Sequence, residues 1–166
     1  MTGTRGVIVI GVGSEFRADD GAGPAVLGVL ADVLPVGVTL EYSDGEATNL
    51  LEAWTDAATA IVIDAVAGGP AEPGTLHRLE VTPDSDSVAA RADSGTSSHD
   101  LGLGSAVALA MALGRMPGQL IVHGIQGVDF SHGVALSPAV AARIGDLAAA
   151  VLADIQAASK PRSSSG

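Results

Sequence analysis

Asp19 and Asp20 stand side by side in the segment Gly11-Val12-Gly13-Ser14-Glu15-Phe16-Arg17-Ala18-Asp19-Asp20-Gly21-Ala22-Gly23. The apolar run Val7–Ile10 precedes this segment, and a helical pattern beginning near Pro24 follows it. A loop leaving a strand end therefore carries two carboxylates, with glycines at both of its edges. Glycine permits positive φ and close approach of another group. Carboxylates beside a helix N-terminus are favoured by its partial positive charge, and they also hold hard or borderline cations. Capping and metal binding are both open at this point.

The elements that position these residues alternate between strand and helix. Val7–Ile10, Val36–Tyr42, Ala60–Ile63 and Gln119–His123 read as strands, and Thr75–Val81 alternates as a half-exposed strand does. Helices are expected from Gly21 or Pro24 to Leu34, over Asn49–Trp54 with Asn49 as N-cap, over His99–Leu113, and from a Ser137 cap to about Ala158. The polar stretch from Thr82 to Ser98 reads as a loop. Continuous apolar strands alternating with helices indicate an α/β fold: a three-layer sandwich around a mostly parallel, twisted five-stranded sheet. Thr75–Val81 lacks a crossover helix from its predecessor, which makes it the antiparallel edge strand. One domain over residues 1–159 is expected, with a flexible tail at 160–166.

Ligands of open α/β sheets sit outside the carboxyl ends of the strands. Loops at that edge carry Asp19 and Asp20, then Asp44, then Asp64, and His99 opens a helix whose preceding loop returns to the same edge. Two carboxylates and an imidazole from separate loops make a three-ligand site able to polarise a carbonyl or activate water. Nitrogen and oxygen donors suit zinc, nickel, manganese or iron. Singly, each residue has a commoner role: Asp20 as a helix-dipole partner, Asp64 as a strand-end turn residue, His99 as a cap or surface imidazole. Convergence on one edge is what favours the metal reading. His123, at the end of its strand, is a reserve candidate; His77 reads as structural, and nothing places His132.

Composition narrows the rest. Hydrophobic residues make up 47% of the 166-residue chain and charged ones 16%, which excludes a disordered chain. A net charge of −11 argues against nucleic acid as a partner and is compatible with a basic peptide. Cysteine is absent, so thiolate metal sites and cysteine nucleophiles are excluded. No apolar run reaches a membrane span and no signal-peptide pattern is evident, so a cytoplasmic location is expected. Phe16 stands where a dinucleotide fingerprint needs its third glycine, and no phosphate loop, serine elbow or His-Glu-x-x-His helix is present.

The ordered motifs resemble the nickel–iron hydrogenase maturation endopeptidases over about residues 6–155. Those motifs are Gly11-Val12-Gly13-Ser14 through Gly23, Asp44-Gly45, Ile63-Asp64-Ala65, Ser98-His99-Asp100-Leu101-Gly102-Leu103, Gly124-Ile125-Gln126 and Leu136-Ser137-Pro138. The resemblance implies a protease that trims the C-terminal extension of the hydrogenase large-subunit precursor after nickel insertion. It implies that Asp20, Asp64 and His99 form the metal-binding triad, with nickel supplied by the precursor, though another divalent metal fits the same donors. Asp44 is expected to orient or assist as acid or base, and Asp19 to support the loop. The nickel-loaded precursor is the implied partner, with no obligate partner besides. A non-catalytic, metal-dependent checkpoint module for the precursor is the alternative. Two positions depart from the family pattern: Ser14 replaces an Asn, and Glu46 stands where many members have a second Gly.

Overall fold

Along the first strand, Val7 and Val9 enter one apolar cluster, while Ile8, Ile10 and Val12 enter another. That period-two split places the strand between two helical layers. The computed structural model describes residues 5–81 and 98–159, with the backbone alone described for residues 5 and 98–102. Most of the expected 82–98 loop and the 160–166 tail lie outside the described residues.

Among the described residues, five strands form one sheet: β1 (Arg5–Val12), β2 (Val38–Ser43), β3 (Ala57–Val66), β4 (Leu76–Val81) and β5 (Gln119–Gln126). Their order is β2-β1-β3-β5-β4, all pairings being parallel except β4 with β5. The helices among the described residues are α1 (Ala22–Leu30), preceded by a 3-10 turn at Ala18–Gly21, α2 (Ala47–Trp54), α3 (Ser98–Leu113), α4 (Pro138–Ala141) and α5 (Ile144–Ser159). Val26, Leu27, Leu147 and Val151 of α1 and α5 pack on one sheet face; Leu50, Trp54, Ala106 and Val107 of α2 and α3 pack on the other. The fold is thus the expected α/β sandwich with one antiparallel edge strand.

Several boundaries differ from expectation for local physical reasons. β3 runs past Asp64 to Val66, and β5 runs past His123 to Gln126, because the ladder between these two strands continues to the Val66–Gln126 pair. Asp64 and His123 are therefore strand residues rather than strand-end residues. α2 begins at Ala47, so Asn49 lies within it; the Asn49 side-chain amide instead reaches back to Asp44 Oδ1 at 3.0 Å. The expected single C-terminal helix is two, α4 and α5, separated by a turn at residues 142–143.

β5 pairs Ile63 with His123, and Asp64 with Gly124. By alternation His123 shares the α1/α5 face with Ile121 and Ile125, whereas Asp64 shares the α2/α3 face with Ala60 and Val62. His123 is buried, and its Nε2–H donates to Asp154 Oδ2 of α5 at 2.6 Å. Arg78 of β4 grips the same carboxylate, Nε to Oδ2 at 3.0 Å and Nη2 to Oδ1 at 2.8 Å. The reserve candidate is thereby a clamp joining β4, β5 and α5, not part of the carboxyl edge.

Burial holds the His123 pKa below its ordinary value, outweighing the opposite pull of the Asp154 carboxylate. The folded state keeps the imidazole neutral while the unfolded chain takes up its proton near about pH 6.5. This contribution to stability is complete above that value and declines as pH falls from about 6.5 towards the lower folded pKa. Urea unfolding followed between pH 7.5 and 5 should show this decline, and His123→Leu should flatten it.

Candidate active site

The carboxyl edge is assembled by the loop after β1. Gly13 donates its N–H to the Ser43 carbonyl at 3.0 Å, tying the loop to the end of β2. Its φ is 123°, and a Cβ there would collide with the Asp20 carbonyl oxygen. A Cβ on Gly23 would lie 2.6 Å from the Val12 carbonyl oxygen and 2.8 Å from that of Ile63. These two glycines let the 3-10 turn and the start of α1 rest directly on the ends of β1 and β3. Between them, Ala18 adopts φ 50°, an unfavourable conformation for a residue with a Cβ.

The adjacent carboxylates have separate surroundings. Asp20 is 2% exposed, and its Oδ2 accepts the Ser14 N–H at 2.8 Å, across the turn. The Ser14 hydroxyl accepts the Phe16 N–H at 3.2 Å, so the serine at this position shapes the loop itself. Asp19 is fully buried. Its Oδ2 accepts the N–H groups of Val128 (2.8 Å) and Asp129 (3.0 Å) and the Ser137 hydroxyl (2.9 Å), and its Oδ1 accepts the Ser137 N–H (2.7 Å). Burial raises the Asp19 pKa, but these four bonds outweigh it, and the net shift is downward. Asp19 is the loop support expected of it, and Ser137, the residue before α4, spends its hydroxyl on Asp19 rather than on a helix cap.

Asp64 is 8% exposed and sits in β3 one residue beyond the Gly11–Ile63 pair, which places it beside the end of β1. α3 ends at Leu113 shortly before β5 enters the sheet at its amino edge. Sixteen helical residues span about 24 Å, roughly the length of the sheet, so α3 runs back to the carboxyl edge with His99 in its first turn. The His99 side chain lies outside the described residues. Among the described residues, no three His, Asp or Glu side chains form a cluster able to hold a metal.

Asp44 follows β2 at the same edge, and it is exposed. Its Oδ1 accepts the Glu46 N–H at 2.9 Å and the Asn49 amide at 3.0 Å. The Glu46 hydrogen bond is the leading cause of a lowered pKa, so Asp44 is ionised at neutral pH. Glu46, the family-departing residue, is the N-cap residue of α2 and uses its backbone for this contact.

Sequence reasoning missed the segment between β5 and α4. Its backbone is laced to the first loop: Ala18 N–H to Gly133 O (2.8 Å), Asp19 N–H to Asp129 O (2.8 Å) and Gly133 N–H to Phe16 O (2.9 Å). His132 thus lies in the chain beside that loop, exposed. Gln126, at the end of β5, donates to the carbonyls of Val66 (3.2 Å) and Gly68 (2.6 Å), and accepts from His77 Nε2 (3.3 Å). Gln126 pins the chain leaving β3, just past Asp64. Donors that lie 109 to 118 residues from their acceptor leave no local sequence signal.

A sheet of this order, covered on both faces and carrying buried carboxylates at its carboxyl edge, matches the fold of the hydrogenase maturating endopeptidase HybD from E. coli. The TM-score is 0.78 over 96% of this chain and 99% of that one, at 26% identity. The hydrogenase expression/formation protein HupD of Rhodobacter capsulatus is 31% identical over 91% of this chain and 71% of its own length. Its namesake in Thiocapsa roseopersicina is 29% identical over 83% of this chain, which spans 62% of that relative. The hydrogenase maturation protease family model matches residues 45–154. The chain belongs to the hydrogenase maturation protease family, a family of endopeptidases.

Asp19→Asn should replace one acceptor oxygen by an amide donor set against at least one existing donor, and cost about 3 kcal/mol in urea unfolding. Because the folded pKa lies below the unfolded value, the wild-type contribution is complete above about pH 3.9 and is lost as pH falls through the folded pKa. Gly23→Ala should cost about 1–3 kcal/mol by forcing α1 off the strand ends, measured in the same way.

Proposed function

We propose that this chain is a cytoplasmic, nickel-responsive endopeptidase that removes the C-terminal extension of a nickel–iron hydrogenase large-subunit precursor after nickel insertion. Membership of the hydrogenase maturation protease family supports a peptidase acting in hydrogenase maturation. One observation carries the assignment of residues: Asp20 and Asp64 are both buried at the adjoining ends of β1 and β3, and α3 runs its first turn, with His99, to that same edge. Two carboxylates and an imidazole suit a borderline divalent cation.

In this reading nickel arrives as part of the substrate, and Asp20, Asp64 and His99 engage it there. Cleavage is then conditional on loading, because an empty precursor offers these residues nothing to coordinate. The seated metal supplies Lewis acidity near the scissile bond. The chain supplies position: Ser14 N–H orients the Asp20 carboxylate, β3 holds Asp64, and the glycine-based loop lets the client approach closely. Asp44, held ionised by Glu46 and Asn49, orients or accepts a proton rather than donating one.

Purified protein mixed with nickel-loaded precursor should shorten it at the C-terminus, read by mass spectrometry, and should leave nickel-free precursor intact. Asp20→Asn, Asp64→Asn and His99→Ala should each lower the cleavage rate at least about 100-fold while preserving the circular dichroism spectrum. Tight binding of loaded precursor with no mass change would instead identify a checkpoint module. Unreduced cleavage by His99→Ala would remove that residue from the proposed triad.

A further inference from the structure

We propose that the open edge of β2 receives an extended segment of the precursor in which apolar and basic residues alternate; this rests on the precursor being the client. Among the described residues, β2 is an outer strand of the sheet. The Ser43 carbonyl points inward, accepting the Gly13 N–H. Backbone groups alternate in direction along a strand, so the N–H and C=O of Leu40 and Tyr42 point away from β1. The opposite outer strand, β4, carries the charged side chains of Arg78 and Glu80, joined at 2.8 Å. β2 (Val-Thr-Leu-Glu-Tyr-Ser) has neither the Lys nor the Pro that commonly blocks an edge. An unblocked edge of this kind binds extended peptide by strand addition.

The two faces of that edge differ in chemistry. On the α1 side lies a groove of about 510 Å³ lined by the apolar side chains of Phe16, Pro24 and Tyr42, together with Glu15 and Asp44. Phe16 is 63% exposed and Tyr42 64%, unusual for aromatic side chains. On the α2 side lies a hollow of about 420 Å³ whose lining includes Glu41, Asp44 and Glu52, and among the described residues no Lys or Arg lines either one. A strand added to β2 sends successive side chains to opposite faces. One residue therefore enters the aromatic groove and the next enters the acidic hollow, which selects an apolar–basic alternation. Both hollows include Ser43 and Asp44, so a bound segment leads directly to the carboxyl edge that holds Asp20 and Asp64.

The test titrates the ¹⁵N-labelled full chain with an acetylated (Val-Lys)₄ peptide. Amide shifts should gather at Leu40, Tyr42 and the Gly13–Phe16 loop. N-methylation of alternate peptide amides on the pairing edge should weaken binding at least tenfold, and (Val-Glu)₄ should not bind. Glu52→Lys should weaken binding at least fivefold, against less than twofold for Asp32→Lys, which makes the same charge change elsewhere. With loaded precursor, Glu52→Lys should raise KM more than it lowers kcat. Shifts on β4 or α3 instead, equal binding of the N-methylated peptide, or equal binding of (Val-Glu)₄ would each overturn the proposal. Normal KM in Glu52→Lys overturns edge docking and leaves the protease reading standing. A wild type that maps the peptide to β2 yet cuts no loaded precursor supports edge docking and overturns the protease reading.

Discussion

The carboxylate of Asp19, fully buried and holding four donors from Val128, Asp129 and Ser137, is the interaction on which the candidate site depends. A buried charge is costly unless hydrogen bonds satisfy it, and here every bond comes from one distant segment. The first loop and the β5–α4 segment are thereby fastened into one rigid unit, which the backbone bonds from Ala18, Asp19 and Gly133 extend. That unit sets the height and direction of Asp20, the very next residue.

Such fastening also explains why strain is tolerated. Ala18 holds φ 50° immediately before the two aspartates, and Gly13 takes a conformation that a Cβ would forbid. The Asp19 bonds hold the residue next to Ala18 in place against that strain. Gly23 completes the arrangement by letting α1 rest on the carbonyls of Val12 and Ile63. Neighbouring carboxylates thus divide the labour, one built into the scaffold and the other presented by it.

The sheet divides functions in the same way. Asp64 projects with Ala60 and Val62 towards the layer of α2 and α3, and His123, one register position away on β5, projects to the opposite layer and locks Asp154 and Arg78. The pleat alone separates a candidate chemical group from a structural one. It also gives β2 two unlike faces, one where Phe16 and Pro24 join the lining and one where Glu41 and Glu52 do.

The order of the strands came from the folded chain, whereas the sequence by itself determined the layers, a mostly parallel sheet with one antiparallel edge strand, and the family. Those rest on local periodicity and on ordered motifs, which any stretch of chain carries regardless of its partners. The glycine-edged loop, Asp64 in its apolar strand and His99 at a helix start were legible for that reason. Tertiary structure alone decided the rest. It extended β3 and β5 through Asp64 and His123, because ladder pairing depends on neighbouring strands. It set His123 on the far face, turned Ser137 from a helix cap into a donor to Asp19, and made Asp19 the anchor of the edge. Hydrogen bonds between residues more than a hundred positions apart leave no trace in local spacing, and only the folded chain brings their two ends together.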